Sequence, residues 1–259
     1  MTVLEMYDLI DRIAPFETQA DFDNSGFLVG SASREVTAVL FALDLTEPVI
    51  DEAEACGAQL IVTHHPLMFS PLRRLTDDDY EGRLIRRLVH GDISLIAAHT
   101  NLDQALGGIN DALAVRCGLL DVTGSGFFRC GLLKAPLTAE AFARDLEGRL
   151  GAVVRLMGPP DTLIRKAGLC SGGGGDQWTL AAEAGCDAFI SGEIKHHLAL
   201  DMADSGIVAL ECGHFATEEP GIRALASALQ KEFDQLEWNV RVFVSENPAY
   251  AFPGNRDRR

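Results

Sequence analysis

Three features of other protein classes are lacking in this sequence. The six cysteines are scattered through 259 residues without a C-x-x-C pair, which argues against a disulfide framework and a thiolate zinc knuckle. No uninterrupted apolar stretch is long enough to span a membrane. Basic residues are few, and 22 Lys and Arg against 38 Asp and Glu give a formal charge of −16, which repels phosphate backbones. We therefore expect a protein of the reducing cytoplasm that binds neither nucleic acid nor a membrane.

Several motifs with known chemistry are lacking as well. The run "CSGGGGDQW" at 170–178 has no G-K-[ST] ending, so we interpret it as a tight turn, with a phosphate cradle as the alternative. No G-x-G-x-x-G dinucleotide fingerprint with its acidic partner is evident, and no G-x-S-x-G elbow marks a serine hydrolase. The start, "MTVLEMYDLIDRI", has acids where a signal peptide needs a basic region.

What is present is an alternation of short β-rich apolar runs with segments of helical period. With 47% hydrophobic residues, this pattern predicts a globular α/β fold around a mainly parallel or mixed sheet. The predicted strands lie at 36–45, 58–64, 93–99, 166–171, 187–191, 207–212 and 240–245. The predicted helices lie at 2–14, 47–56, 80–90, 107–117, 138–149, 177–185, 194–205 and 219–233.

The two halves of the chain resemble each other. Each has a matching helix end, "EACGA" or "EAGCD", and later a predicted strand end with a histidine followed four residues on by a carboxylate. These pairs are His99 with Asp103 and His214 with Glu218. We interpret this as a distant internal duplication. The glycine-rich stretch "TGSGFFRCG" then predicts a boundary between two domains, at 1–126 and 127–259.

Six of the seven histidines follow predicted strands, at the sheet edge where α/β proteins bind ligands. They are His64, His65, His99, His196, His197 and His214. A lone histidine is usually a hydrogen-bonded structural residue, but several at one edge need partners for every ring nitrogen. Histidines with carboxylates and without cysteine are ligands that zinc, iron, manganese and nickel favour. The pattern therefore predicts a metal site.

The adjacent pair His64 and His65 raises a geometric objection, since neighbouring side chains of a strand point to opposite faces. Pro66 follows, however, and restricts the preceding residue, so the strand ends there and alternation need not hold. We expect each imidazole to bind a different ion of a two-metal site. Such ions lie about 3.5–4 Å apart and share bridging carboxylates.

The remaining ligands follow from the same spacing. Asp103 and Glu218 are the candidates to bridge or cap the ions, and His214 adds a third imidazole. We predict supporting roles, as ligand-orienting or proton-transferring residues, for three others: His99, His197 and Glu193. For His196 a solvent-exposed helix position is an equal alternative, and for Cys212 a buried strand position is the preferred interpretation.

The chain resembles the Nif-three-like proteins, also known as GTP cyclohydrolase 1 type 2 homologues or dinuclear-metal-centre hexameric proteins. The strongest elements are "THHPLMF" (63–69), "AHTNLD" (98–103) and "GHFATE" (213–218). Lesser matches, in the same order, are "FDNSGFLVG" (22–30), "FALDLT" (41–46), "GGGG" (172–175) and "DAFISGEIKHH" (187–197). The resemblance thus covers nearly the whole chain.

The resemblance implies two similar α/β domains with a two-metal site in the cleft between them, assembled as a toroidal homohexamer. The family's ligands fall on the five residues that the spacing indicates: His64, His65, Asp103, His214 and Glu218. The chain departs from the family pattern at three positions and lacks the central insertion of larger members. Phe22 stands where tryptophan is usual, His196 where tyrosine is expected and Cys212 where a small residue is common.

Two functions and one simpler interpretation remain open from the sequence. The first is a metal-dependent hydrolase of the GTP cyclohydrolase 1 type 2 kind, which binds two divalent ions and acts on a purine nucleotide such as GTP or another small molecule. The second is a non-catalytic protein that handles metal or mediates interactions, as a metallochaperone or regulatory scaffold. The third is an α/β protein without metal.

Overall fold

The computed structural model describes residues 1–247. These residues form two compact α/β units, each built around one sheet. The predicted fold class, two similar α/β domains with mixed or mainly parallel sheets, is confirmed. None of the helices in the described part is long and apolar enough to cross a bilayer.

The predicted domain bounds, 1–126 and 127–259, need correction. The first unit comprises Met1–Leu106 with the described residues from Ile222 onward, and the second comprises Gly107–Gly221. The chain returns to the first unit because its last described strand pairs in parallel with the strand Ala38–Ala42. The stretch "TGSGFFRCG" is not the boundary, since it lies inside the second unit, where a ten-residue strand begins at Arg129.

The first unit contains a mixed sheet whose strands alternate with helices. Its elements are α1 (Val3–Ile13), β1 (Gly26–Val29), β2 (Ala38–Ala42), α2 (Glu47–Cys56), β3 (Leu60–Thr63), α3 (Tyr80–His90), β4 (Ser94–Ala97), α4 (Thr100–Gln104) and β11 (Arg241–Val244). The strand order is β1-β4-β3-β2-β11, in which only β1 runs antiparallel to its neighbour.

Local chemistry explains why these elements begin and end where they do. Thr2 and Glu5 form a capping box at the start of α1, and Gly57 ends α2 in the left-handed conformation with φ 69°. Every residue of β2, β3 and β4 is buried, as expected of parallel strands covered on both faces. Full burial of each Leu, Ile or Val in these strands contributes about 1.5–3 kcal/mol.

The second unit has the same layered construction. Its elements are α5 (Ile109–Arg116), β5 (Leu120–Thr123), β6 (Arg129–Thr138), α6 (Ala139–Leu150), β7 (Arg155–Met157), β8 (Leu163–Cys170), α7 (Trp178–Glu183), β9 (Ala188–Ser191), α8 (His196–Asp204), β10 (Val208–Glu211) and the start of α9 (His214–Gln235). The strand order is β5-β6-β8-β9-β10-β7, with β8, β9 and β10 parallel.

The element order of the two units agrees with an internal duplication. The series α1-β1-β2-α2-β3-α3-β4-α4 has the same sequence of helices and strands as α6-β7-β8-α7-β9-α8-β10-α9. In the first sheet β4 lies between the antiparallel edge strand β1 and the parallel strand β3. In the second sheet β10 lies in the same way between the antiparallel edge strand β7 and the parallel strand β9. The segments after β3 and β9, and after β4 and β10, are therefore equivalent positions of two sheets.

All predicted helices and strands overlap observed elements, but α9 begins earlier than predicted. The predicted start was 219, whereas the helix begins at His214 and contains Pro220 in its interior. His214 therefore lies at the start of a helix and not in a strand. His214 and Glu218 are consequently one helical turn apart, on the same face.

Candidate metal centre

His64 and His65 follow directly on the end of β3, as the proline predicts. The backbone N–H of His64 donates to the carbonyl oxygen of Leu43 at 3.1 Å, and that of His65 donates to the same oxygen at 3.0 Å. The two rings lie with their centroids 5.0 Å apart and tilted by 49°. Strand alternation thus does not separate the two side chains, because the strand ends at Thr63.

Each of these imidazoles has its Nδ1 atom against an oxygen acceptor. Nδ1 of His64 lies 2.8 Å from the carbonyl oxygen of Ala98, and Nδ1 of His65 lies 2.7 Å from Oδ1 of Asp44. Since a carbonyl oxygen only accepts hydrogen bonds, Nδ1 of His64 carries the proton. Nδ1 of His65 carries the proton for the same reason, because the carboxylate oxygen of Asp44 also only accepts hydrogen bonds. In the neutral ring this leaves the lone pair on Nε2, the nitrogen that binds a metal.

His99 joins this pair. Its Nδ1 atom lies 2.8 Å from Oδ1 of Asp23, and its ring centroid lies 5.0 Å from that of His64 and 5.4 Å from that of His65. Each of the three histidines offers a ring nitrogen, and these three atoms all lie within 4.8 Å of one another. The first unit therefore brings three imidazoles to one point at the carboxyl edge of its sheet.

Asp23 organises the backbone around His99. Its buried carboxylate accepts hydrogen bonds from the backbone N–H of Thr100 at 3.0 Å and from the hydroxyl of Ser25 at 2.9 Å. It also accepts from the Thr100 hydroxyl. Burial acts to raise the pKa of Asp23, but the hydrogen bonds from His99 and Thr100 outweigh it and hold that pKa well below its ordinary value.

Asp103 completes the donor set of the first unit. It lies in α4, where its backbone N–H donates to the carbonyl oxygen of His99, so the two residues are one turn apart. Its Oδ1 atom lies 3.5 Å from Nε2 of His64, and the residue is 8% exposed. A carboxylate this buried requires positive charge or hydrogen-bond donors nearby.

The second unit holds a smaller set at the start of α9. Nε2 of His214 lies 3.1 Å from Oε2 of Glu218, and Nδ1 of His214 lies 3.0 Å from Oε1 of Glu193. Glu218 is 4% exposed. Glu193, for which a ligand-orienting role is predicted, thus contacts the ring of His214.

The chemistry of these donors fits a cation. Where Nδ1 carries the proton, Nε2 presents a lone pair, and a lone pair facing a carboxylate oxygen is repulsive. The pairs His64–Asp103 and His214–Glu218 therefore each need a positive charge, from a second ring proton or from a bound cation. Imidazole and carboxylate together form the donor set that first-row divalent metals favour.

The glycine run at 172–175 packs against His214 and Glu218. A Cβ atom added to Gly172, which has φ +55°, would lie 2.0 Å from Oε1 of Glu218 and 3.1 Å from Nε2 of His214. The backbone N–H of Gly172 donates to the hydroxyl of Thr217 at 3.1 Å. Only glycine allows this close approach, so the run shapes the wall of the site, as the interpretation of a tight turn expects.

Two predicted residues are not joined to the site. His196 and His197 begin α8 with exposed side chains, and neither forms a hydrogen bond or ion pair with another described residue. Cys212 is buried in the core of the second unit, as predicted, but it follows the last residue of β10 and does not lie in the strand. Asp23 and Asp44 are not among the predicted site residues, although both are carboxylates in segments flanking strands, which is the signal that identifies them.

Comparison with known proteins agrees with this picture. Residues 1–249 match the family model Duf34/NIF3 (NGG1p interacting factor 3). The chain is 34% identical over 256 residues to a Clostridium perfringens protein named GTP cyclohydrolase 1 type 2 homolog, which covers 95% of this chain and 97% of the relative. It is 28% identical over 250 residues to NIF3-like protein 1 of Drosophila melanogaster, over 92% of this chain and 84% of that protein. The crystal structure of Staphylococcus aureus protein SA1388 superposes with a TM-score of 0.93 at 28% identity, over 97% of this chain and 98% of that chain.

Proposed function

Because this chain belongs to the Duf34/NIF3 family, we propose that it binds two divalent metal ions and uses them to hydrolyse a small-molecule substrate. The names of its relatives make GTP the first purine nucleotide to test. The proposed metal ligands are His64, His65, Asp103, His214 and Glu218.

One observation supports this proposal above the others. In His64, His65 and His99 the Nδ1 atom lies within 2.8 Å of an oxygen acceptor, so the same nitrogen, Nε2, remains as the donor atom for a metal. His214 has a carboxylate oxygen at each ring nitrogen, from Glu193 at Nδ1 and from Glu218 at Nε2. Metal-binding histidines are typically oriented in this way by a carbonyl or carboxylate on the other ring nitrogen. Histidines that serve only the core have no reason to share one tautomer.

Some of these residues would bind the metal ions, and others would hold or transfer protons. Two carboxylates and three imidazoles leave coordination positions open, as in catalytic metal sites. When bound, the ions would supply Lewis acidity, which would polarise the bond to be cleaved and lower the pKa of water. His99 is the candidate to accept or deliver a proton at Nε2, because Asp23 holds its Nδ1–H. Glu193 holds the ring of His214 in the same manner.

Activity of the metal-loaded chain tests the proposal. The protein is loaded separately with zinc, iron, manganese or nickel and incubated with GTP, a panel of phosphoesters and cyclic amides. We expect turnover that is lost in His64→Ala and retained in His90→Ala, a matched control because His90 is exposed at the end of α3. Metal binding without turnover contradicts the hydrolase and favours a metal-handling protein. Failure to bind any of these metals contradicts both.

We also propose, from the family resemblance, that the chain assembles as a homohexamer. Leu120 and Leu132 are cross-strand partners of β5 and β6 that are 49% and 43% exposed, an apolar surface that agrees with self-association. Light scattering measures the assembly, and a monomeric mass at micromolar concentration would contradict it.

A further inference from the structure

Two exposed aromatic rings lie together in the first unit. Phe22 is 66% exposed and Phe69 is 49% exposed, and their ring centroids lie 6.2 Å apart with a tilt of 44°. We propose that this pair is a stacking subsite for a planar aromatic ring of the substrate. This inference rests on the proposed function, because it takes the neighbouring imidazoles to be part of the reaction centre.

Hydrogen bonds hold the segments that carry the two rings. The side chain of Asn24, in the segment of Phe22, donates from Nδ2 to the carbonyl oxygen of Met68 at 2.6 Å. The neighbouring Asp23 is bound in turn to His99. These hydrogen bonds join the segments of the two rings to each other and to His99, and so hold the rings in place, as a preorganised binding surface requires.

The pair adjoins the three imidazoles. The ring of Phe69 meets that of His99 edge-on, with centroids 6.2 Å apart and an interplanar angle of 79°. His99 offers a ring nitrogen within 4.8 Å of those of His64 and His65. A ligand ring resting on the phenylalanines therefore lies beside the residues proposed to hold the metal, where the rest of the same molecule reaches them.

The chemistry of the pair favours a planar ring over other ligand groups. Phenylalanine has no hydrogen-bonding group, so it gains from apolar contact and from the offset or edge-to-face arrangements of aromatic rings. Because the two rings are tilted by 44°, a planar ligand that stacks on one of them meets the other at an angle. Stacking of this kind tolerates different heterocycles, so the subsite selects a class of ring and not one compound.

Binding of guanosine and of ribose tests this subsite. Guanosine carries a planar ring without phosphate, and ribose is the same sugar without the ring. Titration calorimetry is carried out on the chain before and after removal of metal by chelation, so that stacking is measured apart from metal binding. The variants are Phe22→Leu and Phe69→Leu, which keep apolar bulk but remove the ring. The control is Tyr80→Leu, since Tyr80 is 48% exposed and lies outside the pair.

We expect guanosine to bind both forms of the wild-type chain, and each phenylalanine variant to weaken that binding about tenfold. Ribose binding and zinc content stay unchanged, and Tyr80→Leu binds guanosine like the wild type. The proposal is overturned by wild-type guanosine affinity in both phenylalanine variants, by an equal loss in the control, or by no binding to the wild-type chain. A change of assembly in the phenylalanine variants would likewise overturn it, by identifying the pair as a subunit contact. Zinc titration of the wild-type chain reports separately on the proposed metal centre.

Discussion

Nδ1 of His99 lies 2.8 Å from Oδ1 of Asp23, a residue 76 positions earlier in the chain. The same carboxylate accepts the backbone N–H of Thr100 at 3.0 Å. One aspartate therefore fixes both the tautomer of a candidate proton-transfer residue and the start of the helix that carries Asp103. The orientation of the site depends on residues outside the predicted ligand set.

Replacing Asp23 is expected to destabilise the protein. Asp23→Ala leaves the buried donors of Thr100 and His99 without their acceptor, which costs about 1–3 kcal/mol of the free energy of unfolding. Urea unfolding of the metal-free protein measures this change. The exposed neighbour Asp21 supplies the control, since Asp21→Ala should stay within about 0.5 kcal/mol of the wild type. Equal changes in the free energy of unfolding for the two substitutions would show that the hydrogen bonds of Asp23 do not stabilise the protein.

Glu193→Ala is expected to weaken metal binding without unfolding the second unit. Glu193 holds Nδ1 of His214 at 3.0 Å, and loss of such an orienting contact typically lowers metal affinity about 10–100-fold. Competition of the protein with a chromogenic chelator measures the zinc affinity. Glu183→Ala removes an exposed carboxylate from α7 and should leave that affinity unchanged. An unaltered affinity in Glu193→Ala speaks against the role of Glu193.

Two neighbouring glycines offer a sharp comparison. In Gly172→Ala the new methyl group would lie 2.0 Å from Oε1 of Glu218, on a backbone with φ +55°. At Gly173 the same methyl group meets nothing within 4 Å. We expect Gly172→Ala to lower the free energy of unfolding by at least about 1 kcal/mol and to impair zinc binding, and Gly173→Ala to do neither. Thermal unfolding and chelator competition on both variants check this, and a harmless Gly172→Ala would contradict the packing of the loop.

The buried thiol of Cys117 gives a pH dependence. Burial raises the pKa of Cys117 from its ordinary value of 9.0 to about 12. Below pH 9 both states hold the proton, but between pH 9 and 12 only the folded state does. Stability therefore falls as pH rises through this window, by about 1.4 kcal/mol per pH unit from this group.

Urea unfolding between pH 8 and pH 10.5 measures that slope. Cys117→Ala should lower the slope by this amount, whatever the substitution does to the stability at pH 8, while Cys186 and Cys212, whose pKa burial also raises, keep their own contributions. Cys56→Ala is the control because Cys56 is only partly buried, and it should keep the wild-type slope. A wild-type slope in Cys117→Ala would show that the thiol of Cys117 ionises alike in the folded and the unfolded state, which contradicts the raised pKa.

The parallel strands were predictable because their burial leaves a clear pattern. The strands β2, β3 and β4 are continuous apolar runs, and such runs indicate buried strands wherever turn residues bound them. The strand β6 lacks that pattern, since only its first three residues are buried and Pro136 interrupts it. Its pairing with β8 also shifts register between Leu132 and Leu137, so the strand depends on contacts distant in sequence.

The start of α9 shows another limit of sequence patterns. The predicted start at 219 places Pro220 in the first turn of the helix, where a proline is favoured. The helix instead begins at His214 and tolerates the proline in its interior. The histidines at strand ends were predictable from the topology of α/β proteins, whereas their orienting partners, such as Asp23 and Asp44, come from distant segments of the chain.

Anomalous diffraction from a zinc-loaded crystal, collected on both sides of the zinc edge, tests the central claim most directly. We expect two anomalous peaks per chain, with Nε2 of His64 bound to one ion and Nε2 of His65 bound to the other. Both histidines on a single ion, or no anomalous peak at these residues, would contradict the account.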